Sequence, residues 1–169
     1  MSADEDHARQ IAVLTAHRDI EQQIFRMGYH LEDGDFEAVA DLLADSTFGA
    51  DVLGAKSFRG RDEIRAQYER TNVTYPGIGR ATKEVYSNVV IDIDIDAGTA
   101  NSMTSYTVAQ QPPSGAFELL VAGRYLDEWT RVGDGWTWSD RYIKVQYRND
   151  LSRHMNDGTH PWSRSDPAP

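Results

Sequence analysis

The chain has no cysteine among its 169 residues. Disulfides, thiol nucleophiles and thiolate metal sites are therefore excluded. Proline is scarce, and three of the six prolines lie beyond residue 160, so most of the chain is free of interior helix and strand breakers. Positive charge is in short supply: 17 Lys and Arg face 27 Asp and Glu, a net charge of −10. A nucleic-acid partner, which needs a basic face, is not expected; the acidity is read as serving solubility. No apolar run approaches the roughly 20 residues that cross a bilayer. The start, Met1 to Asp6, is acidic and lacks the apolar core of a signal peptide. A cytoplasmic protein with no membrane partner is the expectation. The five histidines, His7, His17, His30, His154 and His160, show no metal-ligand spacing, so no metal is expected. Gly54-Ala55-Lys56-Ser57 lacks the upstream glycine of a phosphate loop.

What is present is enough for a core: 40% of residues are apolar and 10% aromatic. The length fits one domain, read as residues 1–155 followed by a loose tail over 156–169. Val13, His17, Ile20, Ile24, Met27 and Leu31 recur at steps of three and four and predict a helix from about Ala8 to Leu31. Gly34 ends it. Asp35 then caps a short helix through Ala44, with Phe36, Val39, Ala40 and Leu43 inside. Ser46 to Ala50 reads as a short strand, and Arg61 to Thr71 as a third helix with Ile64 and Tyr68 buried. Four long strands follow, near 82–96, 99–110, 116–131 and 136–147, separated by turns rich in Gly, Pro and Asp. Short turns make them antiparallel neighbours. Phe117, Leu119, Val121, Tyr125 and Trp129 are expected on one side of the third. In the first, Val85, Val89, Ile91 and Ile93 share a side, unless the adjacent Val89 and Val90 mark a bulge that flips the facing midway.

The best pointer to a site is Arg141. It shares a strand side with Ile143, Val145 and Tyr147. A guanidinium among apolar side chains is costly unless a carboxylate or polar ligand meets it. A curled sheet closing on one long helix leaves a cone with an internal cavity, the natural place for such a meeting.

The order of elements, with particular residues, resembles the SnoaL-like branch of the nuclear transport factor 2-like superfamily. The resemblance rests on Leu31-Glu32-Asp33-Gly34-Asp35-Phe36, on Phe58-Arg59-Gly60-Arg61-Asp62-Glu63-Ile64, on Asn88, on Gly123-Arg124-Tyr125-Leu126-Asp127, on Gly135-Trp136 through Arg141, and on Asp150-Leu151-Ser152-Arg153-His154. It implies a cone-shaped α+β barrel, with three N-terminal helices on a curved antiparallel sheet. It also implies a cofactor-free site holding a small hydrophobic molecule. Dehydratase-like relatives place a tyrosine where this chain has Met27, an aspartate where it has Glu32 and a histidine where it has Glu84. Their last-strand arginine is present as Arg141.

The resemblance thus nominates Glu84, Arg141 and Glu32 as the proton-moving and charge-stabilising set, and Met27, Asn88, Tyr125 and Trp129 as contacts to the guest. Alternation counted from Val89 and Ile91 turns Glu84 to solvent, whereas the family alignment turns it inward. Arg141 could alternatively pair with Glu32, Asp33 or Glu84. Three functions fit: a cofactor-free lyase or isomerase acting on a hydrophobic cyclic compound, a non-catalytic small-molecule binder, and a structural subunit like the β chains of ring-hydroxylating dioxygenases. A homodimer or homotrimer is expected, because Leu120 and Leu126 read as apolar residues on the outer sheet face.

Overall fold

The computed structural model describes residues 2–53 and 57–156. Its first element, α1 (Ala3–Asp33), starts on a reciprocal cap: the Ser2 hydroxyl accepts from Glu5 N–H, and the Glu5 carboxylate accepts from Ser2 N–H. It ends at Gly34, whose positive φ of 71° lets its N–H reach the last carbonyls. Ala16, Ile20, Ile24, Met27 and Leu31 form the buried stripe. Fully burying each of the larger ones contributes roughly 1.5–3 kcal/mol. His17, expected on this stripe, is exposed; the buried spacing steps back by four from Ile20, so Ala16 takes the place.

Helix α2 (Phe36–Leu42) is capped by Asp35, which accepts from Ala38 N–H. It packs on α3 (Arg61–Thr71), where Ile64 and Tyr68 are buried as expected. Between them lie β1 (Thr47–Ala50), a 3₁₀ turn (Asp51–Leu53) and β2 (Ser57–Arg59).

The long strands are β3 (Thr82–Asp94), β4 (Thr99–Gln110), β5 (Glu118–Val132) and β6 (Gly135–Arg148). With β1 and β2 they form one six-stranded sheet in the order β2-β1-β6-β5-β4-β3. The meander is antiparallel, but β1 joins β6 in parallel, so the sheet is mixed and open rather than antiparallel and closed. The three helices cover its concave side, and the core lies between, centred on the α1 stripe, Trp129 and Trp138. Among the described residues no helix is long and apolar enough to cross a membrane.

Bulges decide which residues face that core. In β3 the register shifts between Ser87 and Val90, and Asn88 takes a φ of +50°. Beyond the bulge Val89, Ile91 and Ile93 pack inward; before it the facing inverts, so that Val85 is 50% exposed and the Glu84 side chain is 2% exposed. A second shift, between Val108 and Ala109, corrects the expectation for β5: Leu120 is buried, while Phe117 and Leu119 face solvent. A third, between Ala122 and Gly123, turns Tyr147 outward, away from the side of Arg141 and Ile143 that it was expected to share. The proposed tail lies outside the described residues except for Asn156.

Candidate active site

The concave side holds a cavity of about 120 Å³. Its apolar walls include Leu31, Phe48, Val108, Val121, Ile143 and Val145; its polar lining is Gln67, Tyr68, Thr71, Asn72, Arg80, Glu84 and His154. Tyr106 and Tyr125 form one wall, stacked with ring centroids 4.4 Å apart, and Tyr86 meets Tyr125 edge-on at 5.3 Å.

Three elements converge to place the charged groups. Glu84 is aimed inward by the β3 bulge. Its main chain is fixed from α1: Glu32 accepts the Glu84 N–H with one carboxylate oxygen and the Lys83 ammonium with the other, both at 2.8 Å. Helix and strand approach closely because Gly28 has no side chain; a Cβ there would lie 3.2 Å from the Tyr86 ring and 3.7 Å from Glu84 Cβ.

Arg80 precedes β3. Its N–H donates to the Glu32 carbonyl and its Nη1 to the Leu31 carbonyl, at the C-terminal end of α1 where a cation is favoured. Nη1 also meets Glu84 Oε1 at 3.2 Å, and Nη2 lies 2.7 Å from His154 Nε2. A guanidinium has donors only, so Nε2 accepts and the imidazole proton resides on Nδ1. His154 arrives on the segment after β6, which is tied to α3 and its following loop: Val73 N–H donates to the His154 carbonyl and Asn156 N–H to the Thr71 carbonyl.

Burial pushes the Glu84 carboxyl above its ordinary range; Arg80 pulls it down, Glu32 pushes it up and Arg141 pulls it down. Tyr68 is pushed up to about 12, again by burial, against the pull of Arg141 and Arg80. Glu84 Oε2, Tyr68 Oη and Arg80 Nε are buried with no hydrogen-bond partner among the described residues. Buried polar atoms are rarely left so. All three residues line the same small space, and between them they hold two unpartnered donors and one unpartnered acceptor.

A family profile for the SnoaL-like domain matches residues 12–142. The chain belongs to the SnoaL-like family. Among curated proteins none matches it significantly. Solved structures do. A nuclear transport factor 2-like protein with a cystatin-like fold from Novosphingobium aromaticivorans shares 19% identity over 90% of this chain and 96% of its own, with a TM-score of 0.72. A candidate scytalone dehydratase from the same organism shares 22% identity over 83% of this chain and 90% of its own, at 0.67. The β subunit of a candidate aromatic-ring-hydroxylating dioxygenase, also from that organism, shares 14% over 82% and 94%, at 0.65. At these identities the likeness establishes the fold alone.

Within this SnoaL-like frame the residues named from sequence separate. Glu84 and Tyr125 line the cavity. Glu32 stands behind Glu84 and holds its backbone. Arg141 is buried at 1% exposure but lies outside the lining: its guanidinium lies 3.9 Å over the Tyr125 ring and 3.3 Å from Asp127. Its partner is therefore Asp127, not Glu32, Asp33 or Glu84. Met27 is wholly buried against the core. Trp129 packs on Trp138 at 4.0 Å and donates to the Ser102 hydroxyl. Asn88 is the exposed residue of the bulge. None of these last three lines the cavity.

Arg80, Tyr68, His154 and Asp127 were not nominated from sequence. Asp127 had a signal, since it lies two residues from both Tyr125 and Trp129 on a buried strand side. Tyr68 had been read as core. Arg80 lies in an irregular loop with no periodicity, and His154 sits where the regular pattern has faded.

Proposed function

We propose that this SnoaL-like protein is a cofactor-independent lyase or isomerase of the cytoplasm that moves a proton on a small hydrophobic cyclic compound. The observation that carries this is Glu84: a sealed carboxyl with one oxygen open to the cavity and the other on Arg80. A desolvated carboxylate is a stronger base than one in water and works nearer neutrality. Glu84 takes the proton from a carbon beside a carbonyl. The enolate oxygen that develops is held by the Tyr68 hydroxyl and Arg80 Nε, donors already in place and free of competing partners. The same carboxylic acid then returns the proton, either to a second carbon, giving isomerisation, or to a departing β-hydroxyl, giving dehydration. Arg141 acts through Tyr125, bracing the wall against which the ring lies.

The size of the space narrows the guest. A dry cavity of about 150 Å³ holds benzene, so about 120 Å³ has room for a single small ring at most, and a fused polycycle exceeds it.

Monocyclic ketones in deuterated water test this directly. The wild-type protein is expected to speed exchange of the α-hydrogens, followed by NMR. Glu84→Gln should lower that exchange by about 10²–10⁴-fold while still binding the ketone. Undiminished exchange in Glu84→Gln would refute the assignment. A second reading, a non-catalytic binder, is favoured by one feature: Arg80 ties Glu84 and His154 together as a structural pair would. Tight binding across the panel with no exchange by the wild type would establish it instead.

A further inference from the structure

Arg80 and Glu84 form an ion pair, yet they meet through a single contact. Nη1 lies 3.2 Å from Oε1, while Arg80 Nε and Glu84 Oε2 are both buried and unpartnered among the described residues. A guanidinium beside a carboxylate commonly makes the two-bond fork, which takes up both carboxylate oxygens. Here the second bond is missing, although the two side chains are only 5% and 2% exposed. The other bonds of Arg80 supply the reason. Its guanidinium is a rigid plane, and two corners of that plane are held elsewhere. Nη1 also donates to the Leu31 carbonyl at 3.5 Å, and Nη2 lies 2.7 Å from His154 Nε2, the shortest of the three contacts. His154 is a stiff anchor because its own main chain is fixed: its N–H donates to the Leu151 carbonyl, and its carbonyl accepts from Val73 N–H. The Gln110 amide, buried on β4, donates to the carbonyls of both Arg80 and Arg153, at 3.0 and 3.2 Å. One side chain thus ties the segment of His154 to the segment of Arg80.

We infer that His154 is a positioning residue: by occupying Nη2, its imidazole keeps the Arg80–Glu84 pair to one bond and leaves Glu84 Oε2 and Arg80 Nε open to the guest. Without it the guanidinium turns onto both carboxylate oxygens, covers the base and favours its ionised form. This role rests on the reading of Glu84 as the base. Burial holds the Glu84 carboxyl above its ordinary range, and Arg80 is the largest influence in the other direction. The other charged groups that act on Glu84 are Glu32 from α1 and Arg141 from β6, and neither touches His154. The tyrosines of α3, β3, β4 and β5 around the site, Tyr68, Tyr86, Tyr106 and Tyr125, are all pushed up by burial and stay neutral. Replacing His154 therefore reaches the Glu84 carboxyl through Arg80.

Two amides separate this role from simple packing. Both carry an acceptor oxygen, but that of a glutamine stands where Nε2 does, and that of an asparagine reaches only as far as Nδ1. The Glu84 carboxyl is titrated by carbon NMR, and ketone exchange is followed in the same proteins. In His154→Asn the Glu84 midpoint should fall by about one to two pH units, the effect of one added hydrogen bond to a charged group. Exchange should fall at least about tenfold. His154→Gln should keep both near their wild-type values. His154→Leu, apolar and of similar bulk, should match His154→Asn and replaces it in the test where the asparagine variant does not fold. A midpoint that stays in place or rises in His154→Asn, or one that falls equally in His154→Gln, would overturn the proposal. The titration needs no turnover. A wild type without exchange therefore refutes the proton-transfer reading alone, and the midpoints still decide whether His154 holds the pair open.

Discussion

Replacing Arg141 by methionine is expected to destabilise the protein by about 3–5 kcal/mol, a loss that comes from what is left behind. Asp127 has a side-chain exposure of 0% and faces Arg141 at 3.3 Å. Without the guanidinium its carboxylate is sequestered from water and uncompensated. For a domain of this length the loss corresponds to a fall in Tm of about 6–20 °C. Burial already pushes Asp127 up to about 6, with Arg141 pulling the other way. Arg141 itself holds its proton more tightly than usual: burial opposes this, but the Asp127 carboxylate favours the charged form. The two tendencies disagree, one favouring a neutral acid and the other an ion pair. The contact distance, with the guanidinium laid on the Tyr125 ring, decides for the ion pair at neutral pH.

The pH dependence has a definite sign. A buried carboxyl with a raised value stabilises the fold below its unfolded value, near 3.8, and loses that contribution as pH rises through the folded one. Without Arg141 the folded value climbs further, so the Arg141→Met penalty grows as pH passes about 6 and shrinks below it. Urea unfolding at about pH 5 and about pH 8 checks this. The double variant Arg141→Met with Asp127→Leu should recover at least half of the loss and abolish the pH dependence of the penalty, since an apolar pair of similar size often replaces a buried ion pair without loss. A single-variant loss below about 1 kcal/mol, or a double variant weaker than the single, would show that the pair is not sequestered as described.

Tyr68→Phe should leave stability unchanged or raise it by up to about 1 kcal/mol, because a buried hydroxyl without a partner is removed; ketone exchange should fall in the same protein, and thermal melts with NMR exchange read the two separately. Gly79→Ala should destabilise by at least about 1–3 kcal/mol: φ there is +74°, and a Cβ would lie 2.6 Å from the carbonyl oxygens of Glu32 and Asp33, backbone that cannot yield without moving Arg80. Arg9→Ala should leave the melting temperature unchanged, since its 2.7 Å bridge to Asp96 is solvated on both sides; a clear drop would mean that the exposed start of α1 matters more than its burial indicates. Exchange by the wild type should rise with pH through a value above that of an ordinary glutamate, as Glu84 loses its proton, and calorimetry of ketone binding should show no matching step in Glu84→Gln.

Much of the architecture was legible because hydrophobic spacing and turn chemistry are local. The span of α3, the strand order of the meander and the inner face of α2 all follow from residues close in sequence. Facing in the strands was legible only in part. Val89 and Val90 signalled an irregularity, but whether Glu84 turned in or out depended on a register set by β4. The same limit hid the shifts that exchange Leu119 for Leu120 and turn Tyr147 outward. The site itself depends on meetings over long separations: Arg80 with His154 is 74 positions apart, and Glu32 with the start of β3 is 52 apart. No periodicity encodes such meetings. Arg141 was legible as an anomaly, a cation on an apolar strand side, and its carboxylate stood in plain view on the neighbouring strand.

The miscount at Asn88 and Val89 divides one strand into two populations of positions with different duties. Ahead of it, even-numbered residues turn inward, with Glu84 at the cavity wall; past it, the odd-numbered Val89, Ile91 and Ile93 pack on the core. A substitution at Glu84 alters the lining of the cavity, whereas one at Val89, Ile91 or Ile93 alters the packing of the core. One extra residue thus lets a single strand wall the cavity at one end and pack the core at the other.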